Sequence, residues 1–120
     1  MASSTHDIGS VTEFPDGVPV AVRVAGRDLM VVRQGAGFYV LRDRCPHQGA
    51  RLSSGRVGGT TLPCKPGEEL VLGRVGEIVT CPWHGWEFDL RSGCSLAAPE
   101  RARVATYSAR AEGDRLLVTV

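Results

Sequence analysis

Two short motifs in this chain each place a cysteine close to a histidine. The first is Cys45-Pro46-His47-Gln48-Gly49, the second is Cys81-Pro82-Trp83-His84-Gly85, and 33 residues lie between His47 and Cys81. A proline after each cysteine fixes one backbone torsion and removes an amide proton, while the glycines after the histidines permit tight turns. If the two loops face each other, two thiols and two imidazoles form one site with four ligands. We therefore expect a fold in which residues 45 and 81 meet.

Two kinds of metal centre accept two cysteines and two histidines. Zinc forms tetrahedral structural sites of this composition, but zinc fingers usually group their cysteines in one half and their histidines in the other. A two-iron cluster explains the mixed halves, because both cysteines can bind one iron and both histidines the other. The pattern favours iron, and a zinc-stabilised structural domain without a redox role is the alternative.

The two ends of the chain have the period-two alternation that is typical of β-strands. A glycine-containing segment at 34–37 predicts a hairpin, and residues 112–114 predict a second turn. No segment keeps a 3.6-residue apolar period over the length of a helix. We therefore predict an all-β chain with strands at residues 18–24, 29–33, 38–42, 104–109 and 116–120.

Composition excludes several classes of function. The net charge is +1, and the 14 basic residues, of which Lys65 is the only lysine, are scattered rather than grouped in one block. This argues against a nucleic-acid partner and against a membrane partner. Residues 1–16 lack the features of a signal peptide, so we expect a cytoplasmic protein. Four cysteines are too few for a secreted disulfide scaffold, which directs attention to metal binding.

The two motifs resemble those of the Rieske [2Fe-2S] family, whose pattern is C-x-H followed at a distance by C-x-x-H. Residues 81–89 are especially similar to Rieske ferredoxins and to the N-terminal domains of Rieske oxygenases. Residues 52–55 and 96–99 are similar to the turn after the first motif and to the proline-containing loop over the cluster. The resemblance covers about residues 23–117. It implies one [2Fe-2S] cluster bound by Cys45, His47, Cys81 and His84.

The resemblance also implies a fold and a function. We expect one domain, residues 1–120, built as an antiparallel β-sandwich or barrel with a small cluster-binding subdomain inserted at about 43–100. The implied function is that of a ferredoxin, which carries electrons from a flavin reductase to a terminal oxygenase and is not itself an enzyme. A small Rieske subunit of a larger oxidoreductase, similar to that of nitrite reductase, is the alternative.

The residues outside the motifs support a carrier. His6 is the only other histidine and is expected in a solvated N-terminal tail, whereas a mononuclear oxygenase iron needs two histidines and a carboxylate. No G-x-G-x-x-G segment opens a helix after a strand, so the chain contains no signal for a nicotinamide-binding unit.

Three features depart from the family or stay open. The segment 56–74 is longer than in most members, and we expect a surface loop there, with a partner-recognition flap as the alternative. Cys64 and Cys94 are either two thiols or a disulfide.

The high-potential members carry a disulfide between the loops and a hydroxyl donor, and Ala50, Trp83 and Trp86 occupy those places here. We therefore predict a potential at the low end of the Rieske range. Gln48, Ala50 and Arg51 are expected to rim the first loop.

Overall fold

The computed structural model describes residues 4–46, 49–61, 67, 72–82, 85–97 and 102–120. Within these residues the regular structure consists of β-strands and two single-turn 3₁₀ helices, Val11–Glu13 and Leu52–Ser54, which confirms the all-β prediction. The strands are β1 (Thr5–Ser10), β2 (Val20–Val24), β3 (Arg27–Gln34), β4 (Gly37–Arg42), β5 (Arg56–Thr61), β6 (Leu72–Thr80), β7 (Glu87–Asp89), β8 (Thr106–Glu112) and β9 (Arg115–Thr119).

The strands form two antiparallel sheets. The larger sheet has six strands in the order β1-β9-β8-β4-β3-β2, and the smaller has three in the order β5-β6-β7. The two edge strands of the larger sheet, β1 and β2, contact each other, so this sheet is nearly closed into a barrel. The predicted hairpins are confirmed at residues 34–37 and 112–115, where Gly35 and Gly113 have φ angles of 61° and 62°.

Strands β3 and β4 lie between two apolar cores. On β3, Leu29 and Val31 pack inside the barrel, while Met30 and Val32 face a second core. On β4, Val40 packs inside the barrel and Leu41 faces the second core. Successive side chains of a strand point to opposite faces, so a strand covered on both faces has a continuous apolar run rather than an alternating one. The second core, called here the outer core, also contains Val79 and Phe88 of the smaller sheet and thereby joins the sheets.

The N-terminal segment is a strand, so the expectation of a solvated tail was wrong. His6 lies in β1 opposite Val118 of β9 and is half-buried. Its Nε2 is 2.9 Å from the Ser4 hydroxyl. The alternation of residues 5–10 is interrupted by Gly9, and pairing with the distant strand β9 stabilises the segment. Such pairing is a tertiary effect that outweighs weak local propensity.

The long segment between the motifs is not a simple loop, which corrects a second expectation. Its two arms belong to β5 and β6, where Thr60 pairs with Gly73 and Thr61 with Leu72. A Cβ at Gly59 would overlap the carbonyl oxygen of Gly73, so the glycine is required for this close backbone approach. Local propensity predicted a loop because residues 56–61 contain two adjacent glycines, but the ladder is held by backbone hydrogen bonds. Cys64 lies outside the described residues.

Candidate metal centre

The two cysteines of the motifs lie in the same part of the molecule. Cys45 follows β4 and is 1% exposed, and Cys81 follows β6 and is 2% exposed. Both belong to the outer core, so the chain brings together two thiols that are 36 positions apart. The structure thus places both cysteines in one apolar core, and their meeting at a shared metal site stays a prediction. His47 and His84 lie outside the described residues.

The first loop, residues 45–50, is closed by two backbone hydrogen bonds. The amide of Cys45 donates to the carbonyl oxygen of Ala50 at 2.7 Å, and the amide of Gly49 donates to that of Cys45 at 2.8 Å. Gly49 has a φ of 77°, a conformation that most other residues adopt only with strain. The glycine of the motif is therefore required by the turn that returns the chain to its starting point.

The second loop, residues 81–86, is closed by a hydrogen bond equivalent to that between Cys45 and Ala50 in the first loop. The amide of Cys81 donates to the carbonyl oxygen of Trp86 at 2.7 Å, and Gly85 has a φ of 68°. In each loop, therefore, the cysteine amide donates to the carbonyl oxygen of the fifth residue after the cysteine. The fourth residue after it is a glycine with a positive φ. The histidines occupy different places, the second position after Cys45 and the third after Cys81.

Two buried thiols at equivalent positions of two matching loops are suited to a soft metal centre. Thiolate sulfur is the ligand that iron–sulfur clusters and zinc prefer. Among the described residues, no group of three or more His, Cys, Asp or Glu side chains converges on one point. His47 and His84 are not among those residues. Cys45 and Cys81 are, and both lie in one apolar region, as a shared metal site requires.

A buried carboxylate that sequence reasoning missed ties the two ends of the first loop together. Asp43 is 3% exposed and precedes the loop. Its oxygens accept the amide of Ser53 at 2.7 Å, the hydroxyl of Ser53 at 2.6 Å and Nε of Arg51 at 3.1 Å. Its own amide donates to the carbonyl oxygen of Asp28 in β3 at 2.9 Å. We call Asp43, Arg51 and Ser53 the Asp43 clasp; its only signal in the sequence is an aspartate two residues before the motif.

The first loop differs from the expected rim in one respect. Ala50 is 4% exposed and packs in the outer core, so its expected place on the rim was wrong. Its carbonyl oxygen accepts the hydrogen bond that closes the loop. Arg51 is exposed, as expected, while Gln48 lies outside the described residues.

Aromatic packing supports the second loop. Trp86 stacks on Phe88 of β7 with ring centroids 6.3 Å apart and an interplanar angle of 26°. Phe88 is fully buried and Trp86 is half-buried against the outer core. This confirms the expectation that Trp86 packs at the base of the loop, whereas Trp83 lies outside the described residues.

Cys94 lies close to the second loop but does not belong to it. It is half-buried and its thiol forms no disulfide with another described cysteine, while Cys64 lies outside the described residues and its pairing stays a prediction. Its amide donates to the Ser92 hydroxyl at 3.1 Å, and its carbonyl oxygen accepts the amide of Asp89 at 2.9 Å. These bonds form the turn after β7.

Comparison with known proteins identifies relatives over nearly the whole chain. The family model described as the Rieske [2Fe-2S] domain matches residues 4–66 and 67–108. The ferredoxin subunit of anthranilate 1,2-dioxygenase from Burkholderia cepacia is 31% identical over 116 residues, covering 96% of this chain and 91% of that protein. Methylxanthine N1-demethylase from Pseudomonas putida is 32% identical over 114 residues, but the chain spans only 28% of its length.

A solved structure has the same architecture. The ferredoxin of carbazole 1,9a-dioxygenase from Nocardioides aromaticivorans IC177 is 28% identical, with a TM-score of 0.75 and 96% coverage of both chains. None of the helices in the described part of our chain has the length and apolar character needed to cross a bilayer.

Proposed function

This chain belongs to the Rieske [2Fe-2S] family as a ferredoxin-type electron carrier with one cluster, and on that premise we propose that it passes single electrons from a flavin reductase to a terminal oxygenase. The observation that carries this proposal is the match over nearly full length to a ferredoxin subunit of a dioxygenase. The same match supports the proposal that the chain moves electrons without transforming a substrate itself.

We assign the four ligands as Cys45 and Cys81 on one iron and His47 and His84 on the other. The two buried thiols in matching loops support this assignment, because each loop then contributes one ligand to each iron. The cluster supplies reversible one-electron chemistry when bound. The loops hold both thiols inside the outer core, away from water, and their closing hydrogen bonds restrict movement of the ligands.

We further propose a reduction potential at the low end of the Rieske range, which runs from about −150 to +300 mV. Ala50 and Trp86 follow the ligand histidines of the two loops. Ala50 is buried and Trp86 stacks on Phe88, so neither position supplies a thiol or a hydroxyl near the cluster. Hydrogen bonds to the sulfurs raise the potential by stabilising the reduced, more negative cluster.

The chain also supports a proposal on location and domain organisation. A free, half-buried thiol at Cys94 is suited to the reducing cytoplasm, where disulfides are rare. The outer core combines Met30 and Leu41 of the barrel with Cys81 and Phe88, so we propose one domain over residues 1–120, with about 43–100 as the cluster-binding part.

Anaerobic reduction tests the electron-carrier proposal. The chain purified from an iron-replete host is titrated with dithionite and followed by electron paramagnetic resonance and iron analysis. We expect two irons, two labile sulfides and one electron per chain, with the low average g value of a Rieske centre. A colourless protein that contains zinc would establish the structural alternative instead.

Electron transfer to partners is tested in a second step. The reduced chain is mixed with the oxygenase encoded nearest to it, and reoxidation of the cluster is followed by stopped-flow absorbance. Second-order reoxidation by a separable partner supports a ferredoxin, because carriers meet their partners transiently. Copurification in a fixed ratio with a large oxidoreductase indicates the nitrite-reductase-like subunit.

A further inference from the structure

Two adjoining clefts run along the flank of the first loop. They have volumes of about 660 and 630 Å³ and share Arg42, Arg44 and Ala105 in their walls. One cleft reaches Gly49 and the other reaches Pro46, so together they border the loop that begins at Cys45 near both of its ends. We refer to this continuous surface as the arginine cleft.

The walls of the arginine cleft carry a concentrated positive charge. Only two acidic side chains line it among the described residues, Asp28 and Asp43, and both already bind arginines. The whole chain, by contrast, has a net charge of only +1. Five exposed arginines line the cleft: Arg27, Arg42, Arg44, Arg51 and Arg103.

Four of these arginines carry charge that no described acid compensates. Within the part of the chain that the structure describes, Arg27, Arg42, Arg44 and Arg103 form no ion pair, whereas Arg110 and Arg115 at the far end of the barrel pair with Glu112 and Asp7. Arg33 and Arg56, which lie outside the cleft, form no ion pair among the described residues either, but four of the arginines without an ion pair line this one cleft.

Arg44 brings this charge onto the loop itself. A Cβ built on Gly49 would lie 3.3 Å from Nε and 3.5 Å from one terminal nitrogen of Arg44. The guanidinium therefore lies against the backbone of the loop that contains Cys45. An anionic group attracted to the cleft would therefore lie beside the loop that contains Cys45, one of the proposed cluster ligands.

We infer that the arginine cleft is a docking surface for an acidic protein, namely a redox partner with carboxylates around its own electron-transfer centre. This inference rests on the proposed function as an electron carrier. The exposed arginines extend over two clefts and are not gathered around one enclosed point, which fits a protein surface better than a small anion. Complementary charge accelerates encounter and fixes orientation, which are the two needs of a transient carrier.

Binding of an acidic polymer tests the inference without using electron transfer. The ¹⁵N-labelled, oxidised chain is titrated with poly-L-glutamate at about 20 mM salt, where charge interactions are weakly screened. We expect the amide shifts of Asp28, Ala105 and Thr106 to change most, and those around Glu112 to change little. We expect binding to weaken by about tenfold at 200 mM salt, because salt screens the attraction between the arginines and the polymer's carboxylates.

Charge reversal provides matched variants. Arg42→Glu and Arg103→Glu change the cleft without touching the backbone of the first loop, and Arg110→Glu makes the same change of charge on the exposed far end of β8. We expect each cleft variant to weaken binding about threefold or more and the Arg110 variant by less than about twofold. Equal effects of all three variants, or shifts centred at Glu112, would overturn the inference.

Three further outcomes separate the docking inference from its alternatives. Pyrophosphate is titrated as a small-anion probe, and saturable binding tighter than that of poly-L-glutamate at the same residues contradicts a protein docking surface. A chain that binds poly-L-glutamate in the cleft but has no reducible cluster contradicts the proposed function alone. A chain with a reducible cluster that does not bind the polymer in the cleft contradicts the docking inference alone.

Discussion

The two motif loops close with the same backbone geometry but are attached to the protein by different forces. The first loop is tied at both ends by the buried carboxylate of Asp43 and is bordered by arginines. The second loop continues into β7 and is supported by Trp86 stacked on buried Phe88. Both loops pack in the outer core, but the first is held in addition by charged hydrogen bonds and the second by aromatic stacking.

This difference indicates how the site divides its tasks. Charged hydrogen bonds are directional and leave a polar exterior, so the first loop can present charge to a partner while its position stays fixed. Aromatic packing excludes water, so the second loop shields the thiol of Cys81. Variants in the two loops test this division.

Removal of either motif thiol is expected to have the largest effect. Cys45→Ser and Cys81→Ser should each abolish the cluster, because a missing ligand exposes one iron whichever loop it belongs to. Iron content and visible absorbance measure the loss. Cys94→Ser is the matched control, since its free thiol lies outside both loops, and it should retain the full iron content. A motif variant with normal absorbance would show that its thiol is not a ligand.

Loss of the Asp43 clasp is expected to weaken the first loop selectively. Asp43→Ala removes three hydrogen bonds to a buried carboxylate, and we expect the free energy of unfolding to fall by about 3 kcal/mol. Urea denaturation followed by circular dichroism measures this loss. The exposed Asp28 provides the control, because Asp28→Ala should cost less than about 1 kcal/mol. Equal losses in the two variants contradict a special role of the clasp.

Truncation of Trp86 is expected to weaken the second loop by a different mechanism. Trp86→Ala removes stacking and partly buried area, so we expect a loss of about 2 kcal/mol and faster loss of iron to a chelator. Trp86→Phe keeps a ring against Phe88 and should retain most of the stability. If the phenylalanine variant is as unstable as the alanine variant, stacking is not the source of the support.

The turn glycines allow the two loops to be compared at equivalent positions. Alanine at Gly49 or Gly85 must adopt a positive φ, which costs about 1–2 kcal/mol at either position. At Gly49 the new methyl group also presses on the guanidinium of Arg44, whereas at Gly85 it meets no atom of another described residue within 4 Å. Thermal denaturation should therefore show a larger decrease for Gly49→Ala. A larger decrease for Gly85→Ala would mean that Arg44 adjusts freely.

The smallest expected effect lies away from both loops, in an exposed ion pair between β1 and β9. Hydrogen bonding by Arg115, together with the Gly9 amide, lowers the pKa of Asp7 below its usual value. A lowered folded-state pKa stabilises the protein above the ordinary carboxylate pKa, and this stabilisation disappears as the pH falls through the lowered value. Asp7→Asn should therefore lower the melting temperature slightly at neutral pH and not at strongly acidic pH. A difference that persists in acid would contradict this linkage.

Local signals were sufficient where the physics is local. The hairpins at Gly35 and Gly113 follow from turn residues between alternating segments, and the left-handed glycines follow the motif histidines. Pairing of β1 with β9, and of the two arms 56–61 and 72–80, could not be predicted in this way. These ladders join distant segments by backbone hydrogen bonds, which any residue except proline can make.

The residue types and spacing of Cys45, His47, Cys81 and His84 were sufficient to predict a Rieske-type centre, because ligand chemistry belongs to the side chains themselves. The alternating ends determined the all-β class for the same reason, since the period of a strand is a property of the backbone. Only the tertiary structure decided that Asp43 is buried between Arg51 and Ser53, that Ala50 faces inward, and that scattered arginines converge beside the first loop. Burial and charge concentration depend on which distant residues become neighbours, and the folded chain alone specifies those neighbours.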